Sequence, residues 1–104
     1  MPKTSIISTA KRVVVYLKPI NMRTACETLR TICCNELDIV PDAETAFVFV
    51  NKARDSLLLY YADKAGDHTL LKKMDKNLLM LPPAPPGGAP FVDMSPAVLP
   101  KLFG

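Results

Sequence analysis

Five of the ten prolines in this chain fall in one short run, Pro82-Pro83-Ala84-Pro85-Pro86-Gly87-Gly88-Ala89-Pro90. Each proline fixes φ and removes a backbone donor, so neither a helix interior nor a central strand can cross that run. The run predicts a loop or polyproline connector over residues 82–94, between a globular part (1–81) and a short tail (95–104). The main core must therefore come from the first part of the chain. A length of 104 residues fits one domain, and a hydrophobic share of 49% suits one modest core rather than wholesale disorder.

Several classes are excluded at once. Three cysteines do not make a disulfide scaffold. The apolar run from Leu57 to Ala62 is far shorter than the roughly 20 residues that span a bilayer, so no membrane partner is expected. The first residues lack the apolar stretch of a secretory signal, and unpaired thiols suit a reducing compartment, so the expected location is cytoplasmic. Thirteen basic side chains against ten acidic ones give a net charge of +3. That excess permits a nucleic-acid partner without demanding one.

The first regular element is Arg12-Val13-Val14-Val15-Tyr16-Leu17, where three consecutive valines and a tyrosine favour a strand that ends before Pro19. Asn21 then reads as the N-cap of a helix. Met22, Ala25, Cys26, Leu29, Ile32 and Cys33 form its apolar stripe, and Glu27 is placed to pair with Arg23 and Arg30. Three further strands are expected at Ala46–Val50, Ser56–Ala62 and His68–Met74, joined by the polar turns 51–55 and 63–67. Their short connections predict antiparallel neighbours. Leu78-Leu79-Met80-Leu81 is ambiguous by periodicity. Beyond the proline run, Ser95-Pro96 opens a short helix whose apolar face is Leu99, Leu102 and Phe103, with Pro100 limiting its length. The expected fold class is α+β: an N-terminal strand and helix, an antiparallel meander of about three strands, a Pro-rich segment and a short C-terminal helix.

Little of the reactive chemistry assembles into a site. Cys26 and Cys33 share the apolar face of the helix, while Cys34 is turned about 100° from Cys33, so the thiols read as small core side chains rather than zinc ligands. His68 reads as a solvated residue beside a turn, and Asp63 as a turn former. No carboxylate pattern, glycine-rich phosphate loop or metal-ligand spacing stands out. The expectation is a non-enzyme with no catalytic residues, no metal and no cofactor. The basic residues carry more information. Lys11, Arg12 and Lys18 flank the first strand. Arg23 opens the helix, Lys52 and Arg54 occupy the first turn, and Lys64, Lys72, Lys73 and Lys76 are expected around the second. Arg23, Lys52, Arg54, Lys72, Lys73 and Lys76 are the candidate phosphate contacts.

The order of these residues resembles the accessory protein encoded by the second open reading frame of insertion-sequence family sixty-six elements, of the TnpB type. Asn21-Met22-Arg23 resembles that family's helix opening. Phe47-Val48-Phe49, then Asn51, Lys52 and Asp55, then Leu57, Leu59, Tyr61 and Asp63, follow its central pattern without a gap. Gly66, Lys72-Lys73-Met74 and Pro82 continue it, and Val98-Leu99 with Leu102-Phe103-Gly104 resembles its closing turn. This chain carries Val50 and Leu58 where that pattern is basic, Ala62 where it has tryptophan and Asn21 where it has aspartate, as a divergent member would. The resemblance implies a non-catalytic accessory of a transposable element that binds DNA, the element's transposase, or both. The competing expectation is a protein-interaction module without nucleic-acid contact, for which the Pro-rich segment would dock in an aromatic-lined groove. The sequence leaves the oligomeric state open.

Overall fold

Strand-forming residues bury both faces of a sheet when apolar side chains run without alternation, and the centre of this protein is built that way. The computed structural model describes residues 6–73, 87–88 and 90–103. Lys76, the Leu78–Leu81 run and Pro82 to Pro86 lie outside the described residues, as do the side chains of Leu102 and Phe103. In chain order the elements are α1 (Ile6–Thr9), β1 (Arg12–Tyr16), α2 (Cys26–Thr31), a π-helical continuation over Ile32–Glu36, β2 (Thr45–Val50), β3 (Ser56–Asp63), β4 (Gly66–Lys73), β5 (Phe91–Met94) and α3 (Val98–Phe103).

The five strands form one mixed sheet in the order β4-β3-β2-β1-β5. The fold is α+β. β2, β3 and β4 pair antiparallel through short turns, with Phe47 opposite Tyr60 and Leu59 opposite Leu70. β1 pairs parallel with β2, Val13 to Val15 lying beside Ala46 to Val48. A parallel pair needs a long crossover, and residues 17–44 with α2 supply it.

Two expectations are corrected. Phe91–Met94, assigned by composition to the connector, is a strand that runs antiparallel along the free edge of β1. Its anchor is an ion pair from Arg12 Nε to Asp93 Oδ1 at 2.6 Å, a contact between residues far apart in sequence. The helix also starts later than Asn21. The Asn21 side-chain oxygen accepts the Arg23 backbone N–H at 2.8 Å and its carbonyl accepts Thr24 N–H at 3.0 Å, so Asn21 closes a turn and α2 begins at Cys26. Ala25 is accordingly exposed rather than part of the apolar stripe.

The two faces of the sheet carry different cores. One is aliphatic: Val13, Val15, Val48, Val50, Leu57 and Leu59 pack against Ile6 of α1 and Leu99 of α3. The other is aromatic: Tyr16, Phe47, Phe49 and Tyr60 pack against Leu29, Cys33 and Leu37. Tyr16 meets Phe49 edge-on at 5.6 Å, a favoured ring geometry. Two polar clamps hold the helical layer on this aromatic face. Asp67 of β4 accepts from Arg30 Nη2 at 2.7 Å and from Tyr60 Oη at 2.9 Å, so Arg30 reaches across to the sheet rather than to Glu27. Glu36 accepts from Tyr16 Oη at 2.8 Å. Burial, reinforced by that bond, pushes the Tyr16 phenol up to about 12. Cys33 is fully buried, and burial raises its thiol to about 12, as the core reading of that residue requires.

Three outcomes are expected. Leu29→Ala, at a fully buried position, lowers the unfolding free energy by about 2–5 kcal/mol in urea titration, whereas Asp93→Ala, at a solvated ion pair, lowers it by about 1 kcal/mol or less. The Arg30 and Tyr60 bonds hold the Asp67 carboxyl below the usual carboxylate range. Its contribution is therefore complete above about pH 4 and is lost as pH falls through the lowered value, so urea midpoints drop on acidification and drop less in Asp67→Asn.

Candidate functional site

Strand direction decides which loops meet. β1 and β2 run the same way, β3 runs against β2, and β4 runs against β3. The ends of β1, β2 and β4 and the start of β3 therefore lie together at one end of the sheet. At a strand spacing of about 4.8 Å this end is about 14 Å wide. It carries the loop after β1, the turn 51–55 and the last residues of β4.

Both connections are stiff. Ile20 N–H donates to the Val50 carbonyl at 2.9 Å, tying the loop after β1 to the end of β2. Asn51 organises the turn. Its side-chain oxygen accepts Asp55 N–H at 3.1 Å and Ser56 N–H at 3.2 Å, while its Nδ2 donates to Asp55 Oδ1 at 2.7 Å. Arg54 takes a left-handed conformation there, with φ of 59°, and its N–H donates to the Asn51 carbonyl. Asp55, the acid of this turn, is held below the usual carboxylate range chiefly by the Asn51 bond, with Ser56 and Lys73 assisting. Sequence reading took 51–55 as a polar connection and missed Asn51. The available signal was an asparagine four residues before an Asp-Ser pair at a strand start.

Five of the six candidate contacts lie at this end. Arg23, Lys52 and Arg54 are exposed on the two stiff connections. Lys72 and Lys73 lie opposite Leu57 and Ser56 at the end of β4, on opposite faces of the sheet. Lys76 lies outside the described residues. The grouping of Lys64 with Lys72 and Lys73 is corrected: Lys64 sits in the β3–β4 turn, about 25 Å away along the strand.

Among the described residues, none of these five side chains makes an ion pair. The paired cations are Lys11 with Glu44, Arg12 with Asp93, Lys18 with Glu36 and Arg30 with Asp67. Except for Lys18, they lie toward the opposite end, where the carboxylates of Glu44, Asp63 and Asp67 also gather. The positions that lack the family's basic residues are not part of this surface: Val50 is 1% exposed and Leu58 5%, and both are core side chains. Between residues 19–23 and 51–53 a cleft of about 640 Å³ opens, with Arg23 and Lys52 among its lining.

At the far end, His68 Nε2 lies 2.8 Å from Asp63 Oδ1, and its ring stacks on Tyr61 at 4.8 Å. Asp63 Oδ1 also accepts Ala65 N–H at 2.8 Å, as its turn-forming role predicts. His68 is thus bonded and half-buried rather than simply solvated. Among the described residues no group of three or more His, Cys, Asp or Glu side chains could hold a metal ion, and no helix is long and apolar enough to cross a membrane.

A family model described as IS66 Orf2-like protein matches residues 11–101. No curated protein and no solved structure matches the chain. The matched span contains all five strands, both loops of the basic end and α2. With it comes the family's association with transposable elements as an accessory component. The chain belongs to the IS66 Orf2-like family.

Proposed function

We propose that this protein is a non-catalytic, cytoplasmic accessory of an insertion sequence that assists transposition by gripping DNA phosphates with the basic end of its sheet. The observation that carries this reading is the group of cations without ion pairs at one sheet end: Arg23, Lys52, Arg54, Lys72 and Lys73. On an ordinary solvated surface, opposite charges are interspersed. Here the carboxylates sit mostly at the other end, and Asp55 is occupied by Asn51. A predominantly positive sheet end, whose carboxylates Asp55 and Glu36 are engaged by Asn51 and by Tyr16 and Lys18, offers the counterion-releasing contact that phosphate binding requires. Lys76, the sixth candidate contact, lies outside the described residues. The transposase would then share the bound DNA rather than compete for the basic end.

The test is a titration of element-end duplex at several salt concentrations. Each phosphate contact contributes about −0.9 to the slope of log K against log salt, so five contacts give a slope of about −4 to −5. Lys52→Ala with Arg54→Ala should reduce that slope by about 2, while Lys11→Ala, at the opposite end and paired with Glu44, should leave it unchanged. Absence of binding at low salt, or equal effects from both variants, overturns the proposal.

A further inference from the structure

We infer that the cleft between residues 19–23 and 51–53 receives an unpaired nucleotide, so that this surface prefers DNA with an unstacked base over intact duplex. The inference rests on the phosphate-binding reading of the same surface and names the form of DNA it takes.

Three features of the cleft support it. The first is its lining. Ile20 and Met22 are half-buried, with one side packed on the aromatic core and the other on the cleft, and Pro19 and Ala53 add apolar surface. Arg23 and Lys52 bring two positive charges to the same space. An apolar floor with cations around it matches the two halves of a nucleotide, a planar base and an anionic phosphate. A continuous duplex presents phosphates to such a surface but keeps its base faces stacked inside. Enzymes and carriers that hold an extruded base do so between apolar or aromatic side chains, and guanidinium planes serve the same purpose.

The second feature is a polar group suited to a base edge. The Asn21 side-chain oxygen is fixed by the Arg23 N–H, and Asn21 lines the cleft with its Nδ2 donor unpartnered among the described residues. An amide donor beside an apolar floor can meet the acceptor edge of an unpaired base. Asn51, on the other wall, has both its oxygen and its nitrogen engaged within its own turn, so it shapes the cleft without reading a ligand.

The third feature is preorganisation. The two walls are joined at their base by the Ile20 N–H bond to Val50, and each wall is closed by an asparagine-centred turn. The cleft exists before any ligand arrives, so binding does not have to order it. Its volume is about 640 Å³ and it is broadly open to solvent.

The experiment compares fluorescence anisotropy of the full chain on a short duplex and on the same duplex carrying a bulge of unpaired thymidines. The bulged probe should bind more tightly than the intact duplex. Ala53→Leu, which narrows the cleft without adding a base-stacking ring or removing a charge, should abolish that preference, read as the ratio of bulged to intact affinity in the same variant. Circular dichroism of the variant confirms folding, and Asn21→Asp, which keeps the oxygen that accepts Arg23 N–H and removes the amide donor, gives a second reading as a lower ratio of bulged to intact affinity. Equal affinity for the two probes with normal duplex binding overturns the cleft inference and leaves the phosphate reading standing. A bulge preference that survives Ala53→Leu undiminished also overturns it. No binding to either probe at low salt overturns both.

Discussion

Val13, Val14 and Val15 lie in register with Ala46, Phe47 and Val48, and the two strands run in the same direction. Most other features of the molecule depend on that parallel pair. It forces a long crossover, which becomes α2 and covers the aromatic face. It brings the loop after β1 beside the turn after β2, where Ile20 is hydrogen-bonded to Val50. Had β1 paired antiparallel, its trailing loop would lie at the acidic end, and Arg23 would be separated from Lys52 by the length of the sheet. The basic surface is a consequence of strand direction rather than of total charge.

The two faces of the sheet divide the work of holding the fold. The aliphatic face is sealed by two short helices, α1 and α3, neither long enough to be stable alone. They contribute Ile6 and Leu99, and their stability is that of the sheet they cover. The aromatic face carries the polar clamps, Asp67 with Arg30 and Tyr60, and Glu36 with Tyr16. These bonds position α2 and its π-helical end, which fixes the crossover and hence the loop leading into it. The Asp67 clamp acts at the far end of the sheet and the Glu36 clamp at the end of β1, beside the basic end.

Charge is sorted along the strand direction. Carboxylates that serve the fold satisfy cations near them, so those cations are unavailable to a partner. Among the described residues, Arg23, Lys52, Arg54, Lys72 and Lys73 make no ion pair. A net charge of +3 appeared mild because paired and unpaired cations were counted together. Val50 and Leu58 looked like lost contacts in the linear pattern, yet their burial makes them supports of the sheet beneath the basic end.

Strands β2 and β3 were legible from sequence because Phe47 to Val50 and Leu57 to Tyr61 are apolar at every position, a pattern that only two-sided burial satisfies. The three candidate lysine and arginine positions in the loops were legible as exposed charge between apolar runs. The helix start was not, because an asparagine before an apolar stripe can either cap a helix or close a turn, and here Asn21 bonds to Arg23 and Thr24 and closes a turn. Nor was β5 legible. Phe91-Val92-Asp93-Met94 is short and follows prolines, and it becomes a strand because β1 offers a free edge and Arg12 meets Asp93 there. The sequence by itself determined the central strands that are buried on both faces and the positions that carry charge, since local pattern and transfer free energy suffice for that. Only the tertiary structure decided which charges share a surface, because that depends on strand direction and on pairing between residues distant in the chain, where no local periodicity reaches.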